Sequence, residues 1–318
     1  MPERLGPPRE QPLFDRLALI GVGLIGSSLA RVARRQNLAK TIIAIDSSEA
    51  ARARIQELSL ADQVTGDYRA GVTGADCIIL CVPVGACGSV MEMIAPALKS
   101  GAIISDVGSV KGAIVAQIEP HLPKHVHFVP AHPVAGTEQS GPDAGFATLF
   151  NNRWCILTPP EGTDKSAVAT MRAFWEGAGS NVEEMSPAHH DLVLAITSHL
   201  PHLIAYNIVG TAADLEAVTQ SEVIKFSAGG FRDFTRIAAS DPTMWRDVFL
   251  NNKEAVLEML GRFTEDLSAL QRAIRWGDGE ALFDHFTRTR AIRRSIIEIG
   301  QDSATPDFGR QVKEEAAQ

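Results

Sequence analysis

The sequence predicts an α/β fold: an N-terminal Rossmann domain with a doubly wound, mostly parallel sheet, followed by an all-α domain. Three observations carry that expectation. Short β-rich runs alternate with amphipathic helical stretches up to about residue 184, a glycine turn joins the first run to the first helix, and period-2 alternation almost vanishes after Met185-Ser186-Pro187.

Taken in order, residues 17–20 read as a strand and the glycine turn opens a helix to about Gln36. Residues 41–45 form a second strand, and Ser47 or Ser48 caps a helix running to Leu58. The unbroken apolar run 77–82 has the pattern of a strand buried on both faces. A helix over 85–98, a strand over 102–106 and a helix over 110–118 follow. Strands near 127–129, 154–157 and Val182, with a helix over 165–177, complete this half as one mostly parallel sheet with crossover helices. Helical spacing then dominates over 191–209, 244–270 and 279–299, with breaks at Gly229-Gly230 and Asp241-Pro242. The expected division is a disordered tail over 1–13, the Rossmann domain over 14–186, a helical domain over 187–300 and a polar tail over 301–318.

A chain of 318 residues suits two domains, and 45% hydrophobic with 21% charged residues is the profile of an ordinary globular protein. The formal charge of −8 argues against nucleic acid or an anionic membrane as the main partner. An anionic small molecule would therefore need individually placed Arg, Lys or His side chains. Cys77, Cys81, Cys87 and Cys155 form no CxxC pair, and three lie in or beside an apolar stretch. They read as free buried thiols, which suits a reducing, cytoplasmic compartment. The first twelve residues are rich in Pro, Arg and Glu and lack the apolar centre of a signal peptide. The first apolar run, 17–30, is broken by three glycines and too short to span a bilayer, so no membrane segment is expected.

Gly21-Val22-Gly23-Leu24-Ile25-Gly26 matches GxGxxG between a predicted strand and a predicted helix. The first glycine makes the tight turn, the second admits a pyrophosphate to the backbone, and the third lets helix and strand pack. The anion would rest on the N–H groups at the helix start, beside Leu24 and Ile25. Asp46 stands 20 residues beyond Gly26, where a carboxylate accepts from ribose hydroxyls and repels a 2′-phosphate. No arginine adjoins it in sequence, which favours NAD over NADP. Val82-Pro83 ends the buried strand and should border the cofactor.

Three further segments carry chemistry: Ser105 to Gly112 at a strand end, the glycine-bearing loop Ala131 to Gly141, and Ser198-His199-Leu200-Pro201-His202 together with the stretch from Phe231 to Ile237. Each alone has a plain structural reading. His199 and His202 could be core histidines, His189-His190 a helix start, and Lys111 the opening of a helix. A zinc pair at 199 and 202 is disfavoured because Pro201 interrupts the helix and no third ligand presents itself, so no metal is expected.

Together, GVGLIG at 21–26, DVGSVKG at 106–112, HPVAGTEQSG at 132–141, SHLPH at 198–202 and DFTRIAASDPTMWRD at 233–247 resemble the prephenate/arogenate (cyclohexadienyl) dehydrogenase family. The resemblance covers about residues 14 to 300. It implies an NAD-dependent oxidative decarboxylation in tyrosine biosynthesis, with prephenate favoured as substrate and arogenate as a second. It assigns His132 as acceptor of the substrate hydroxyl proton, and Ser109 as the serine that hydrogen-bonds the same hydroxyl. Arg236 becomes the cation gripping the ring carboxylate, with His202 and Trp245 at the substrate's side chain. Thr137, Glu138 and Asp233 complete the substrate-binding set. The resemblance further implies a homodimer formed through the helical domain. Some relatives carry a fused chorismate mutase or a regulatory domain, for which this chain is too short. Two other readings differ in class: another Rossmann-plus-helical dehydrogenase, of the β-hydroxyacid type, and a non-catalytic NAD-sensing protein.

Overall fold

The computed structural model describes residues 5–137, 139–219 and 228–298. Glu138 and the polar tail expected at 301–318 lie outside the described residues. The chain divides into two compact units. The first runs to Ile204 and regains Ile237–Val256; the second is Ala205–Arg236 with the chain from Leu257 onward.

The first unit is built on six parallel strands: β1 (Phe14–Ile20), β2 (Ala39–Ile45), β3 (Gln63–Thr65), β4 (Cys77–Leu80), β5 (Ile103–Asp106) and β6 (His127–Phe128). Their order is β3-β2-β1-β4-β5-β6. Leu17, Ile20, Ile45 and all of β4 are buried, as expected of strands covered by helices on both faces. The strand order reverses between β1 and β4, so the crevice beyond their carboxyl ends is where such a sheet takes its ligand. Helix α1 (Leu24–Arg35) leaves β1 there, and α2 (Glu49–Glu57) leaves β2 with Ser48 accepting from the Ala51 N–H. Short β3 and the five-residue helix α3 (Tyr68–Val72), capped by Asp67, are too short for a hydrophobic period to recur in the sequence.

The three remaining strands do not extend this sheet, contrary to expectation. β7 (Ala131–Pro133), β8 (Trp154–Leu157) and β9 (Asn181–Glu184) form a separate sheet, antiparallel between β7 and β8 and parallel between β8 and β9. Pro130 follows β6 and has no N–H to continue the parallel ladder. His132, expected in a loop, is instead a strand residue paired with Ile156. Helix α6 (Lys165–Gly177) seals the core, with Phe174 and Trp175 edge-on to one another and Trp175 edge-on to Phe150.

The segment from Leu5, expected to be disordered, is tied down. Leu5 and Leu13 pack against the hydrophobic core, the Arg9 N–H donates to the Gln36 carbonyl, and Asn37 donates back to the Arg9 carbonyl. Apolar contact and paired backbone groups offset the ordering entropy that the polar composition suggested would win.

Two more helices follow β4 and β5: α4 (Cys87–Ile94) and α5 (Lys111–Ile118). Helix α7 (Pro187–Leu194) starts at Ser186, whose hydroxyl accepts from the His189 N–H. It continues through a π turn, Ala195–His199, into α8 (Leu200–Thr219). Pro201 therefore does not break the helix. The wider turn absorbs the hydrogen bond that a proline cannot make. By length and composition alone, Pro187–Asp214, with a mean hydropathy of 1.5, could cross a membrane. Its polar residues His190, Asp191 and His199 are nonetheless buried in hydrogen bonds to other parts of the first unit.

Helix α9 (Gly229–Thr235) leads into a 3-10 turn, Arg236–Ala239. The stretch expected as one helix over 244–270 is two, α10 (Pro242–Asn251) and α11 (Lys253–Trp276), and α12 (Gly279–Glu298) follows. The break is Asn252, a buried residue whose side chain leaves the helix pattern to serve the site below. The compact units cut the helical half at Ile204, Ile237 and Val256.

Candidate active site

Gly21 has φ +84°, and a Cβ there would lie 2.8 Å from the Cys81 carbonyl oxygen. At Gly26 a Cβ would lie 2.4 Å from the Gly21 carbonyl oxygen, whereas at Gly23 it would meet nothing within 4 Å. Two of the three glycines thus permit packing, and the third keeps the backbone open to a ligand. Gly23 is also the N-cap of α1 and offers no side-chain cap, so the first-turn N–H groups around Leu24, Ile25 and Gly26 face that open side without a competing acceptor. Asp46 follows β2 and is held from two directions. One carboxylate oxygen accepts from the Val22 N–H at 3.0 Å and the other from the Ser48 N–H at 2.9 Å. An arginine does stand beside it, from one turn into α2: Arg52 donates to the Asp46 and Ser47 carbonyls at 2.8 and 2.9 Å. Val82 is half-buried, and Pro83 caps the 3-10 turn that follows β4. The donor set and the open backbone fit a dinucleotide whose ribose hydroxyls bind a carboxylate.

A second construction, made of side chains, lies in the same unit. His132 retains 8% exposure, and its Nδ1 is 2.8 Å from Nε2 of His190, which is fully buried. His190 Nδ1 is in turn 2.8 Å from Asp191 Oδ1. That carboxylate sits on the start of α5, accepting the Lys111 N–H at 2.7 Å and the Gly112 N–H at 2.8 Å. A Cβ at residue 112 would come within 3.0 Å of it. The Lys111 ammonium, fully buried, pairs with the equally buried Asp106 and donates to the Ala131 carbonyl at 2.7 Å. Asn252 donates to the Asp191 carbonyl at 2.8 Å and reaches His199 Nδ1 at 3.1 Å. Trp245 stacks on His202 at 3.6 Å with 23° between planes, and His199 meets its edge. His202 Nδ1 donates to the Ser198 carbonyl at 2.9 Å.

Burial sets the electrostatics of this cluster. It pushes the His132 imidazole well below the usual histidine range, helped by His190, Lys111 and His199. It lowers His190 against the opposing pull of Asp191, and brings His199 to about 4 against raising contributions from Asp191 and the Ser109 backbone. Asp191 moves the other way. Burial alone would raise it, but hydrogen bonds from His190, Lys111 and Gly112 outweigh that and hold it below the usual carboxylate value. Near neutral pH His132, His190 and His199 are therefore neutral beside the ionised Asp191. Of the three imidazoles linked to that carboxylate, His132, His190 and His199, His132 keeps surface, at 8%, so it can meet a substrate as an unprotonated base.

Of the residues expected from sequence, His132, His202 and Trp245 converge in the first unit, with Ser109 half-buried on the bend between β5 and α5. Thr137 is exposed and accepts from the Gln139 N–H at 3.2 Å. Asp233 and Arg236 belong to the second unit, the first half-buried and the second exposed. Sequence reasoning missed the supporting residues. Lys111 is more than a helix opener, His190 more than a helix start, and Asp191 and Asn252 drew no notice. A signal did exist for two of them: His190 and Asp191 interrupt a helix that is otherwise apolar enough for a membrane, and buried polar residues need partners.

Residues 29–184 match the family profile described as "Prephenate dehydrogenase, nucleotide-binding domain", and residues 186–288 that described as "Prephenate dehydrogenase, dimerization domain". Cyclohexadienyl dehydrogenase of Zymomonas mobilis is 45% identical over 89% of this chain and 97% of its own length. Prephenate dehydrogenase of Bacillus subtilis is 35% identical over 92% of this chain and 79% of its own. Among solved structures, prephenate dehydrogenase of Aquifex aeolicus in complex with hydroxyphenyl propionate and NAD+ is 34% identical, with a TM-score of 0.83 over 89% of this chain and 98% of that one.

Proposed function

The chain belongs to the prephenate dehydrogenase family, and on that premise we propose how its own residues divide the work of oxidising prephenate, with arogenate as a second substrate. It is an NAD-dependent oxidoreductase of the prephenate/cyclohexadienyl type, acting in tyrosine biosynthesis. The observation that carries the reading is the His132 imidazole backed by His190 and Asp191, in the unit that also bears the glycine turn.

In this reaction the ring carbon bearing the hydroxyl loses a hydride, the hydroxyl becomes a carbonyl, the ring carboxylate leaves as CO2 and the ring aromatises. NAD+, when bound, supplies the hydride acceptor. His132 takes the hydroxyl proton, because burial keeps it unprotonated at neutral pH while His190 and Asp191 stand behind its other nitrogen. Ser109 hydrogen-bonds the same hydroxyl and fixes its direction. Arg236 grips the ring carboxylate with a planar fork, a geometry that lysine lacks. The stacked pair His202 and Trp245 receives the side chain, and Thr137, Glu138 and Asp233 are assigned to substrate binding by the motifs they stand in. Gly21, Gly23, Gly26 and Asp46 hold the dinucleotide, with Val82 and Pro83 at its border.

We place the reaction in the cytoplasm, a reading supported by four free cysteines, three of them buried. The active form is a homodimer, supported by the match to a dimerization domain and by exposed Leu267, Ile274, Phe283, Phe286 and Ile292 in the second unit. The test is NADH or NADPH formation with prephenate and with arogenate, each with NAD+ and NADP+. Turnover of prephenate with NAD+ is expected to lead. Silence with both substrates, with NAD+ binding intact, would overturn the substrate and its residue roles together.

A further inference from the structure

We propose that His190, held by Asp191, is a positioning residue that selects the tautomer of His132 and leaves its Nε2 bare to receive a proton. The inference rests on His132 being the proton acceptor. It follows from counting protons along a chain of three side chains. The Asp191 carboxylate accepts two backbone N–H groups, one on each oxygen, so its plane is fixed against the start of α5. A carboxylate can only accept, so the hydrogen at the 2.8 Å contact belongs to His190 Nδ1. A neutral imidazole carries one N–H, which leaves His190 Nε2 with a lone pair. That lone pair lies 2.8 Å from His132 Nδ1, a separation at which two bare nitrogens would repel. The hydrogen between them is therefore on His132 Nδ1, and the lone pair of neutral His132 is on Nε2.

The same chain meets the charge that proton uptake creates. When the substrate hydroxyl gives its proton to Nε2, His132 becomes an imidazolium whose Nδ1–H points through His190 toward the anionic Asp191. The other charged groups facing the cluster offer no competing compensation. Lys111 of α5 and Asp106 of β5 are committed to each other as a buried ion pair, and His199 of the π turn is neutral and bonded to Asn252. One anion is thus left for one new cation, two side chains away. An orienting partner behind a catalytic imidazole matters most through the tautomer it enforces.

Nitrogen-15 histidine spectra of the intact protein read the tautomer directly, with the His132 signals assigned by their loss in His132→Asn. Wild type should show His132 protonated on Nδ1 at neutral pH. His190→Leu should populate both tautomers and lower kcat roughly 10²-fold, with KM for prephenate within about threefold. His190→Gln places an acceptor oxygen near the lost nitrogen and should recover at least about tenfold of that loss. A wild-type His132 protonated on Nε2 overturns the proposal, and it does so even where His190→Leu fails to fold. Full kcat in His190→Leu, or a Gln variant no better than Leu, overturns it as well. Undiminished turnover in His132→Asn removes the underlying acceptor role instead, and is recognised by leaving the wild-type tautomer result intact.

Discussion

Between positions 21 and 26 three glycines shape a ligand site from backbone atoms alone, and the residues that matter are neighbours in sequence. In the histidine cluster of the same unit, His132 meets His190 across 58 residues, Asp191 meets Asn252 across 61, and Lys111 meets Asp191 across 80. The first site works by leaving space and exposing N–H groups; the second works by filling space with side chains that satisfy one another. A site made of backbone fails only where a Cβ collides. A buried polar cluster is sensitive at every member, because each group removed leaves a partner unpaired in a poorly solvating interior.

Substitutions at six positions and a change of pH would sharpen or break this contrast. His132→Asn should lower kcat about 10²–10⁴-fold while NAD+ affinity at the glycine turn stays near that of wild type. Steady-state kinetics and NAD+ titration read the two effects, and an equal loss in both would show that the regions are not separable. Lys111→Met strands the Asp106 carboxylate in full burial and should cost about 3–5 kcal/mol in denaturant unfolding. Lys111→Met with Asp106→Asn should recover much of that. If the single variant unfolds like wild type, the ion pair contributes nothing.

Acid should act on the cluster and spare the glycine turn. His132, His190 and His199 are all depressed in the folded chain, so the unfolded chain binds more protons below about pH 6.5. Their contribution is complete above that value and is lost as pH falls toward each folded value, about 4 for His199. His199 alone accounts for on the order of 3 kcal/mol across this window. Thermal unfolding from pH 7.5 to 4.5 should show a steep fall, reduced in His199→Asn; parallel curves for the two proteins would remove His199 from the account. The smallest effects belong to the glycines. Gly26→Ala meets a backbone carbonyl at 2.4 Å and should cost about 1–3 kcal/mol. Gly23→Ala meets nothing within 4 Å and loses only the N-cap preference for Gly over Ala, so stability should move by about 1 kcal/mol or less while NAD+ affinity falls. A large stability loss at residue 23 would show that the open space is not open.

What sequence revealed and what it hid divide along the same line. GxGxxG, Asp46 and the unbroken apolar run before Val82 are local statements about turn geometry, charge and burial, and each sits where periodicity put it. Ser48 caps α2 as one of two candidates. The motif resemblance picked out His132, His202 and Trp245, which the fold brings into one unit. Arg52 beside Asp46 was invisible, because it arrives on the next helix and not on the next residue. Pro201 misled in the other direction. A proline inside a helix announces a break, and only the π turn ahead of it shows how the break is avoided. Asn252 is the converse case, a break inside a stretch of continuous helical spacing, where the side chain's two hydrogen bonds outweigh the local preference to continue.

By itself the sequence determined the alternation of strands and helices, the cofactor turn and the family, since these depend on backbone conformation, hydrophobic period and residue order. Tertiary structure alone decided that β7, β8 and β9 form a second sheet, that Leu5 to Pro12 are anchored, and that a histidine beside a helix cap stands behind His132. The physical reason is that a polar side chain has no fixed role until burial removes water and leaves it only the partners within reach.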